Sequence, residues 1–160
     1  MSCCAFYLVK TLAEKSDYWG WLKDFSSKWA VVSQYLDGDY RVLSPSAMQQ
    51  RLQDTILNRK LLFKETDYLK GPDFHPVNLS YRCGARDAIS SPGVMCVLFK
   101  GPKDPVHAIA FVRRGRRIFF MDPELGEFSF ADPHSLELWL QPSDLFKDYS
   151  EAQINYYAVR

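Results

Sequence analysis

The sequence lacks several patterns that would assign a protein to a well-known class. Its four cysteines, at positions 3, 4, 83 and 96, form no CxxC pair and therefore do not indicate a zinc site. They are also too few for the dense disulfide framework of a small secreted domain, so we expect reduced thiols. There is no run of about 18 apolar residues, and no cationic leader followed by an apolar stretch. These absences predict a soluble fold without an integral membrane segment.

An excess of positive charge is lacking as well. Lysine and arginine together number 20, and aspartate and glutamate 19, so the net charge is +1. A general nucleic-acid binder carries a basic excess that neutralises many phosphates, and we therefore expect no nucleic-acid partner. The one basic cluster is Arg113, Arg114, Arg116 and Arg117 around Gly115. We interpret it as a solvated turn rather than as a site for an acidic partner.

Apolar residues, in contrast, are plentiful and periodic in the first half of the chain. With 47% hydrophobic residues, the 160 residues can bury one sizeable core, which predicts a single domain over residues 1–160. Helical spacing extends from Ser2 to about Ser16 and again from Trp21 to Leu36. Ser44-Pro45 then opens a third helical segment that continues to Leu62.

The second half of the chain changes to strand patterns. Turn-forming residues between Lys70 and Pro92 predict a long irregular connection. Cys96 lies in a continuous apolar run that indicates a buried strand. A short helix is expected after its cap, Asp132. The predicted strands cover about 94–100, 106–112, 117–121, 127–130 and 153–159. Helices followed by an antiparallel sheet predict an α+β domain with segregated elements.

The most informative pattern is a histidine and an aspartate fifteen residues apart, on two predicted strands that flank the arginine turn. His107 opens the first strand and Asp122 closes the second. If the turn is centred between Arg114 and Gly115, His107 lies directly opposite Asp122, and opposed residues share a face. A carboxylate beside an imidazole can fix its tautomer and stabilise its cation, as a catalytic histidine needs.

A nucleophile would complete this arrangement, and Cys4 is the favoured candidate. Ser2 can cap the first helix, which places the Cys4 sulfur in the first turn. A helix N-terminus and an adjacent imidazolium both lower a thiol pKa. His107 would accept the thiol proton, and the backbone N–H of Cys4 would bind the oxyanion, with a second donor unassigned. The adjacent Cys3 leaves the identity of the nucleophile open.

The residue pattern alone is equally compatible with a different class of protein. A lone histidine on a strand is more often structural than catalytic, so the His–Asp pair can also be a staple within the hairpin of a binding module. In that alternative Trp19, Trp21 and Trp29 would supply a binding surface, although their near-helical spacing favours core packing.

The same residues resemble a known family. The runs His107-Ala108-Ile109-Ala110-Phe111 and Phe119 to Phe128, which includes Asp122-Pro123 and Gly126-Glu127, look like the C-terminal half of the YopT/AvrPphB cysteine proteases. The resemblance covers roughly residues 94–159, including the aromatic final strand. Ser2-Cys3-Cys4 resembles the helix opening of the family more weakly. Glu124 stands where the family usually has asparagine, and the polar oxyanion residue that the family places before its cysteine has no counterpart.

The resemblance implies a papain-like fold, with the nucleophile at the start of an N-terminal helix packed on a C-terminal antiparallel sheet. It also implies a cysteine protease of the bacterial effector or toxin type, with the triad Cys4, His107 and Asp122, which needs neither metal nor cofactor. Such a protein is expected to be secreted by a bacterial delivery system and to cleave a protein in another cell. A cognate chaperone or immunity protein is a further expected partner. Because the polar oxyanion residue has no counterpart, either the chain is the C-terminal part of a longer effector or toxin, or its oxyanion is stabilised differently. A deamidase or acyltransferase using the same triad is the alternative.

Overall fold

The computed structural model of the protein describes residues 2–22, 60–86, 88–100, 107–141 and 144–160. Helix α1 spans Ser2–Leu8 and continues as a π-helical turn, Val9–Ala13, and α2 spans Tyr18–Leu22. Two further helices lie between and after the strands: α3 at Pro76–Ser80 and α4 at Pro133–Leu140. Another π-helical turn, Tyr81–Ala85, follows α3, and short 3₁₀ turns occur at Gly71–Asp73 and Asp144–Phe146.

The strands form one antiparallel sheet in the order β1-β6-β2-β3-β4-β5. The central strand β2 is a continuous apolar segment buried almost throughout, because helices cover both faces of the sheet. No helix in the described part of the chain is long and apolar enough to cross a membrane. The strands are β1 Leu61–Lys70, β2 Gly93–Phe99, β3 His107–Arg114, β4 Arg117–Asp122, β5 Gly126–Phe130 and β6 Glu151–Val159.

Alternate residues of the central strands belong to two separate hydrophobic clusters, one on each face. Ala108, Ala110 and Val112 of β3 pack with α1, whereas Ile109 and Phe111 pack on the other face with α3 and α4. Helix α1 contacts β2, β3 and β4, so it lies over the centre of the sheet. The predicted α+β arrangement, with the first helix packed on a C-terminal antiparallel sheet, is confirmed.

The five predicted strands are confirmed as β2 to β6, and Asp132 caps α4 as expected, accepting a bond from the Ser135 backbone N–H at 2.8 Å. Helix α1 begins at Ser2 itself, one residue earlier than a Ser2 cap would require. The predicted helical segments between residues 23 and 59 lie outside the described residues.

The prediction was wrong at β1, where the end of the Ser44–Leu62 helical segment proves to be the start of a strand. This edge strand pairs with β6 alone, carries exposed charged side chains and contains a bulge at Phe63/Glu65. Charges and bulges protect an edge from further pairing, and they also erase the alternation by which a strand is recognised. The connection predicted as irregular after Lys70 contains α3 and its π-helical turn.

The observed register of the β3–β4 hairpin differs from the predicted register by two residues. Arg114 pairs with Arg117, so the turn contains Gly115 and Arg116 alone. Gly115 has φ +60°, and Arg116 does not have a positive φ, which defines a type II′ turn. In the observed register, Asp122 therefore lies two residues nearer the turn than the position opposite His107. A shift of two residues keeps both side chains on the same face.

The interpretation of the arginine cluster as solvated holds for three of its members. Arg114, Arg116 and Arg117 are exposed, but Arg113 is 3% exposed. Its guanidinium donates to the backbone carbonyls of Arg86 and Ser91, and it thereby ties the connection before β2 to the hairpin. Arg113 lies on the same face of β3 as Phe111, the face that α3 and α4 cover.

Candidate active site

The His–Asp pair predicted from the sequence is present at the open end of the hairpin. The His107 Nε2 lies 2.8 Å from the Asp122 Oδ2. The Asp122 side chain is 1% exposed and that of His107 is 18% exposed, so the carboxylate is enclosed and the imidazole is reachable. When Nε2 carries the ring proton it donates to Asp122, and Nδ1 is left as the acceptor.

The Asp122 carboxylate is held in its ionised form by several donors. Burial opposes ionisation, but hydrogen bonds from His107 and from the backbone N–H groups of Glu124 and Leu125 outweigh it, and the pKa of Asp122 is lower than usual. The Glu124 N–H lies 2.8 Å from Asp122 Oδ1. Because Oδ1 and Oδ2 have different partners, the carboxylate cannot rotate without losing a hydrogen bond.

Helix α1 brings its first turn to the same end of the sheet. The Cys4 Sγ lies 3.2 Å from the carbonyl oxygen of Ala108, the residue after His107. Cys4 is completely buried, and burial, reinforced by the nearby thiol of Cys3 and carboxylate of Asp122, raises its pKa to about 12. The structure thus places Cys4 beside the pair, but as a protonated thiol that donates to the backbone. Cys4 as the attacking group stays a prediction.

Cys3 occupies the preceding position of the same turn and is partly exposed. The hydroxyl of Tyr18 in α2 hydrogen-bonds to Cys3, and burial together with that bond raises the pKa of Tyr18. Tyr7, one turn further along α1, donates to Glu127 Oε2 of β5 at 2.5 Å. Cys3 and Tyr7 lie on the same side of α1, which places Cys3 towards the β4–β5 edge.

One residue at the site was missed by the sequence reasoning. Tyr149 stacks on His107, with ring centroids 6.2 Å apart and an interplanar angle of 19°. It also lines a cavity of about 300 Å³ together with Phe74, Leu79 and Phe146. No local pattern marks Tyr149, because it lies in irregular chain before β6 and reaches His107 only through the β6–β2–β3 pairing.

The site also contains one group of side chains with the chemistry of metal ligands. Among the described residues, His107, Asp122 and Glu124 offer ligand atoms within 4.8 Å of one another. Glu124 is exposed, and the direct hydrogen bond between the other two accounts for their proximity. This group therefore needs no ion to explain its geometry.

Comparisons with known proteins agree with this picture. Residues 86–156 match the sequence model of the C58 peptidases, described as the Yersinia/Haemophilus virulence surface antigen family. No curated protein matches the chain. The solved structure of the Pseudomonas avirulence protein AvrPphB superposes with a TM-score of 0.67 over 99% of this chain and 90% of that one, at 17% sequence identity.

The family match covers residues 86–156, and the structural match covers nearly the whole chain. The family match contains β2 to β5, α4 and most of β6, with both His107 and Asp122, whereas the structural match includes α1 as well. The identity to AvrPphB is low, so that likeness establishes the fold alone. The resemblance indicated by the sequence is therefore confirmed: the C-terminal half of the chain carries the pattern of the YopT/AvrPphB-type C58 peptidases, on a fold that is the fold of AvrPphB.

Proposed function

We propose that the protein is a cysteine protease of the virulence-effector type, whose active site joins His107 and Asp122 to a thiol in the first turn of α1. The observation that carries the proposal is the enclosed Asp122 carboxylate, 2.8 Å from the Nε2 of a solvent-accessible histidine, with a helix start docked on the next residue. The predicted delivery into another cell belongs to this proposal, as does a chaperone or immunity partner.

Two cysteines can supply the thiol, and access favours Cys3 over the Cys4 of the sequence prediction. An attacking sulfur must reach a substrate carbonyl, and Cys4 is completely enclosed while Cys3 is partly exposed. The Cys4 thiol also donates a hydrogen bond to the Ala108 carbonyl. Cys3 also has a hydrogen-bonding neighbour at the helix start, the Tyr18 hydroxyl.

In the proposed reaction, His107 Nδ1 takes the thiol proton and the thiolate attacks the scissile carbonyl carbon. The tetrahedral intermediate then expels the amine, which receives that proton from His107, and a thioester remains. Water attacks the thioester and gives one proton to His107, and the departing sulfur takes it back when the acid is released. Asp122 orients the His107 ring throughout and stabilises the imidazolium each time it forms. The backbone N–H predicted to bind the oxyanion stays a prediction.

A cleavage assay on a peptide mixture tests this function without knowledge of the substrate. We expect the wild-type protein to generate new peptide amino termini, detected by mass spectrometry, and Cys3→Ala and His107→Ala to generate none. Lys64→Ala, at an exposed position of the edge strand β1 and three strands away from β3, is the control. Altered side-chain masses without new termini would indicate a deamidase or acyltransferase instead. If wild type and His107→Ala behave alike, the protein is not a protease of this type.

A further inference from the structure

The Ala108 carbonyl, which accepts the hydrogen bond of the Cys4 thiol, occupies an unusual position in the sheet. The Arg113 N–H bonds to the Pro92 carbonyl, so the backbone groups of Arg113 point towards β2. Alternate residues of a strand point these groups in opposite directions. The backbone N–H and C=O of Ala108 and Ala110 therefore point towards β4.

Strand β4 has no donor to offer at that position. The last observed pair of this ladder is Ala110 with Met121, and the same register continued by two residues would bring Ala108 opposite Pro123, which lies in the β4–β5 turn. Proline has no backbone N–H, so it cannot bond to the Ala108 carbonyl. A carbonyl left without a donor in a buried place costs about 1–3 kcal/mol.

Cys4 supplies the missing donor. Its Sγ is 3.2 Å from the Ala108 oxygen, a short distance for a sulfur donor, and the side chain is completely buried. A thiol can donate only while it is protonated, and burial keeps it so. This contact is also the polar link between the first turn of α1 and the strand that carries His107.

We propose that Cys4 is a positioning residue: its S–H bond to the carbonyl left open by Pro123 sets the first turn of α1, and hence the Cys3 thiol, against His107. The inference rests on the proposed function, with Cys3 as nucleophile. Because the two cysteines are adjacent, a shift of the first turn moves Cys3 directly. A misplacement of about 1 Å can cost roughly 10²-fold in rate.

The test compares Cys4→Ala, which removes the donor, with Cys4→Ser, which keeps one. Cys3 alkylation by iodoacetamide is followed from pH 5 to 9 by peptide mapping. We expect Cys4→Ala to slow Cys3 alkylation near pH 7 by up to about 10²-fold and to move its midpoint to higher pH, because the thiolate–imidazolium pair is weakened. Cys4→Ser should show a much smaller loss and a smaller shift. Circular dichroism confirms that each variant is folded.

A spectroscopic measurement separates the hydrogen bond from the activity. In a Cys3→Ser background, the infrared S–H band of Cys4 is identified as the one that Cys4→Ala removes. Its frequency should be lowered, as expected for a hydrogen-bonded thiol. Pro123→Ala restores a backbone N–H, and it should therefore raise the frequency of this band. Equal alkylation profiles for Cys4→Ala and Cys4→Ser, or a free-thiol band, would overturn the positioning role. Rapid alkylation of Cys4 rather than Cys3 would overturn it as well. If wild-type Cys3 shows no reactivity that depends on His107, the proposed function itself fails, whatever the band shows.

Discussion

Asp122 is the one buried carboxylate among the described residues. It is 1% exposed, yet its pKa is lowered, since the donors around it stabilise the charged form more than burial penalises it. A group with a lowered folded-state pKa binds fewer protons in the folded than in the unfolded state. Its contribution to stability is present above the unfolded pKa of about 3.9 and is lost as the pH falls through the lower folded value.

We therefore predict a pH-dependent cost for Asp122→Asn. At pH 7 the variant should lose about 1.5–3 kcal/mol of unfolding free energy, the usual range for hydrogen bonds to a charged group. Urea titrations from pH 3 to 7 should show the difference from wild type shrinking below about pH 4. Turnover should fall by up to ~10⁴-fold, because the amide can hold the wrong tautomer. Glu124→Gln, at an exposed neighbour that bonds through its backbone, is the control. A cost independent of pH would contradict the assignment.

The β3–β4 hairpin is the element that determines where Asp122 lies. Its two-residue turn requires a positive φ at the first position, which Gly115 supplies without steric strain. A register error of one residue would move Asp122 to the opposite face from His107, while an error of two would not. The turn therefore affects both stability and the site, although it lies at the far end of the hairpin.

Gly115→Ala should destabilise the hairpin through the backbone alone. An added Cβ at Gly115 would meet no atom within 4 Å, so the cost is the left-handed conformation, about 1–2 kcal/mol. Arg116→Ala, at the adjacent turn position, should stay within about 0.5 kcal/mol of wild type. Chemical denaturation measures both. Equal effects at the two positions would mean that the turn is not of type II′.

At the scale of the whole molecule, the sheet is held between two layers of helix. The cluster around α1 and the cluster around α3 and α4 share no side chains, but they use alternate residues of the same strands. Removing either layer would expose one face of the central strands. We therefore propose that residues 1–160 behave as a single domain in which both layers unfold together.

Shortening single side chains of α4 tests whether the two helical layers unfold together. Leu136 is completely buried, whereas Leu138 on the same helix is 55% exposed. Leu136→Ala should lower the unfolding free energy by about 2–5 kcal/mol, and Leu138→Ala by no more than about 0.5 kcal/mol. In urea titrations the Leu136→Ala transition should remain single, and it should coincide for tryptophan fluorescence and circular dichroism. Two separate transitions would contradict the single domain.

The sequence by itself determined the features that depend on local pattern. Apolar runs and turn residues located β2 to β6, and Asp132 marked the start of α4, because strand alternation and helix capping act over a few residues. His107 and Asp122 could be paired for the same reason, since a short hairpin joins them. The strand β1 was not predicted, because an edge strand forms by pairing with its partner, here β6, which lies far along the chain. The composition of β1 itself does not indicate a strand.

Only the tertiary structure decided which groups the site brings together and how accessible each one is. The exposure of Cys3 and the burial of Cys4 follow from how α1 docks on β3, and a helical pattern does not specify which neighbour a first turn meets. The stacking of Tyr149 on His107 likewise depends on the order of strands in the sheet. The missing N–H of Pro123 is visible in the sequence, but it acquires a consequence only when the hairpin register, continued past Met121, brings Pro123 opposite Ala108 and α1 brings a thiol to that carbonyl.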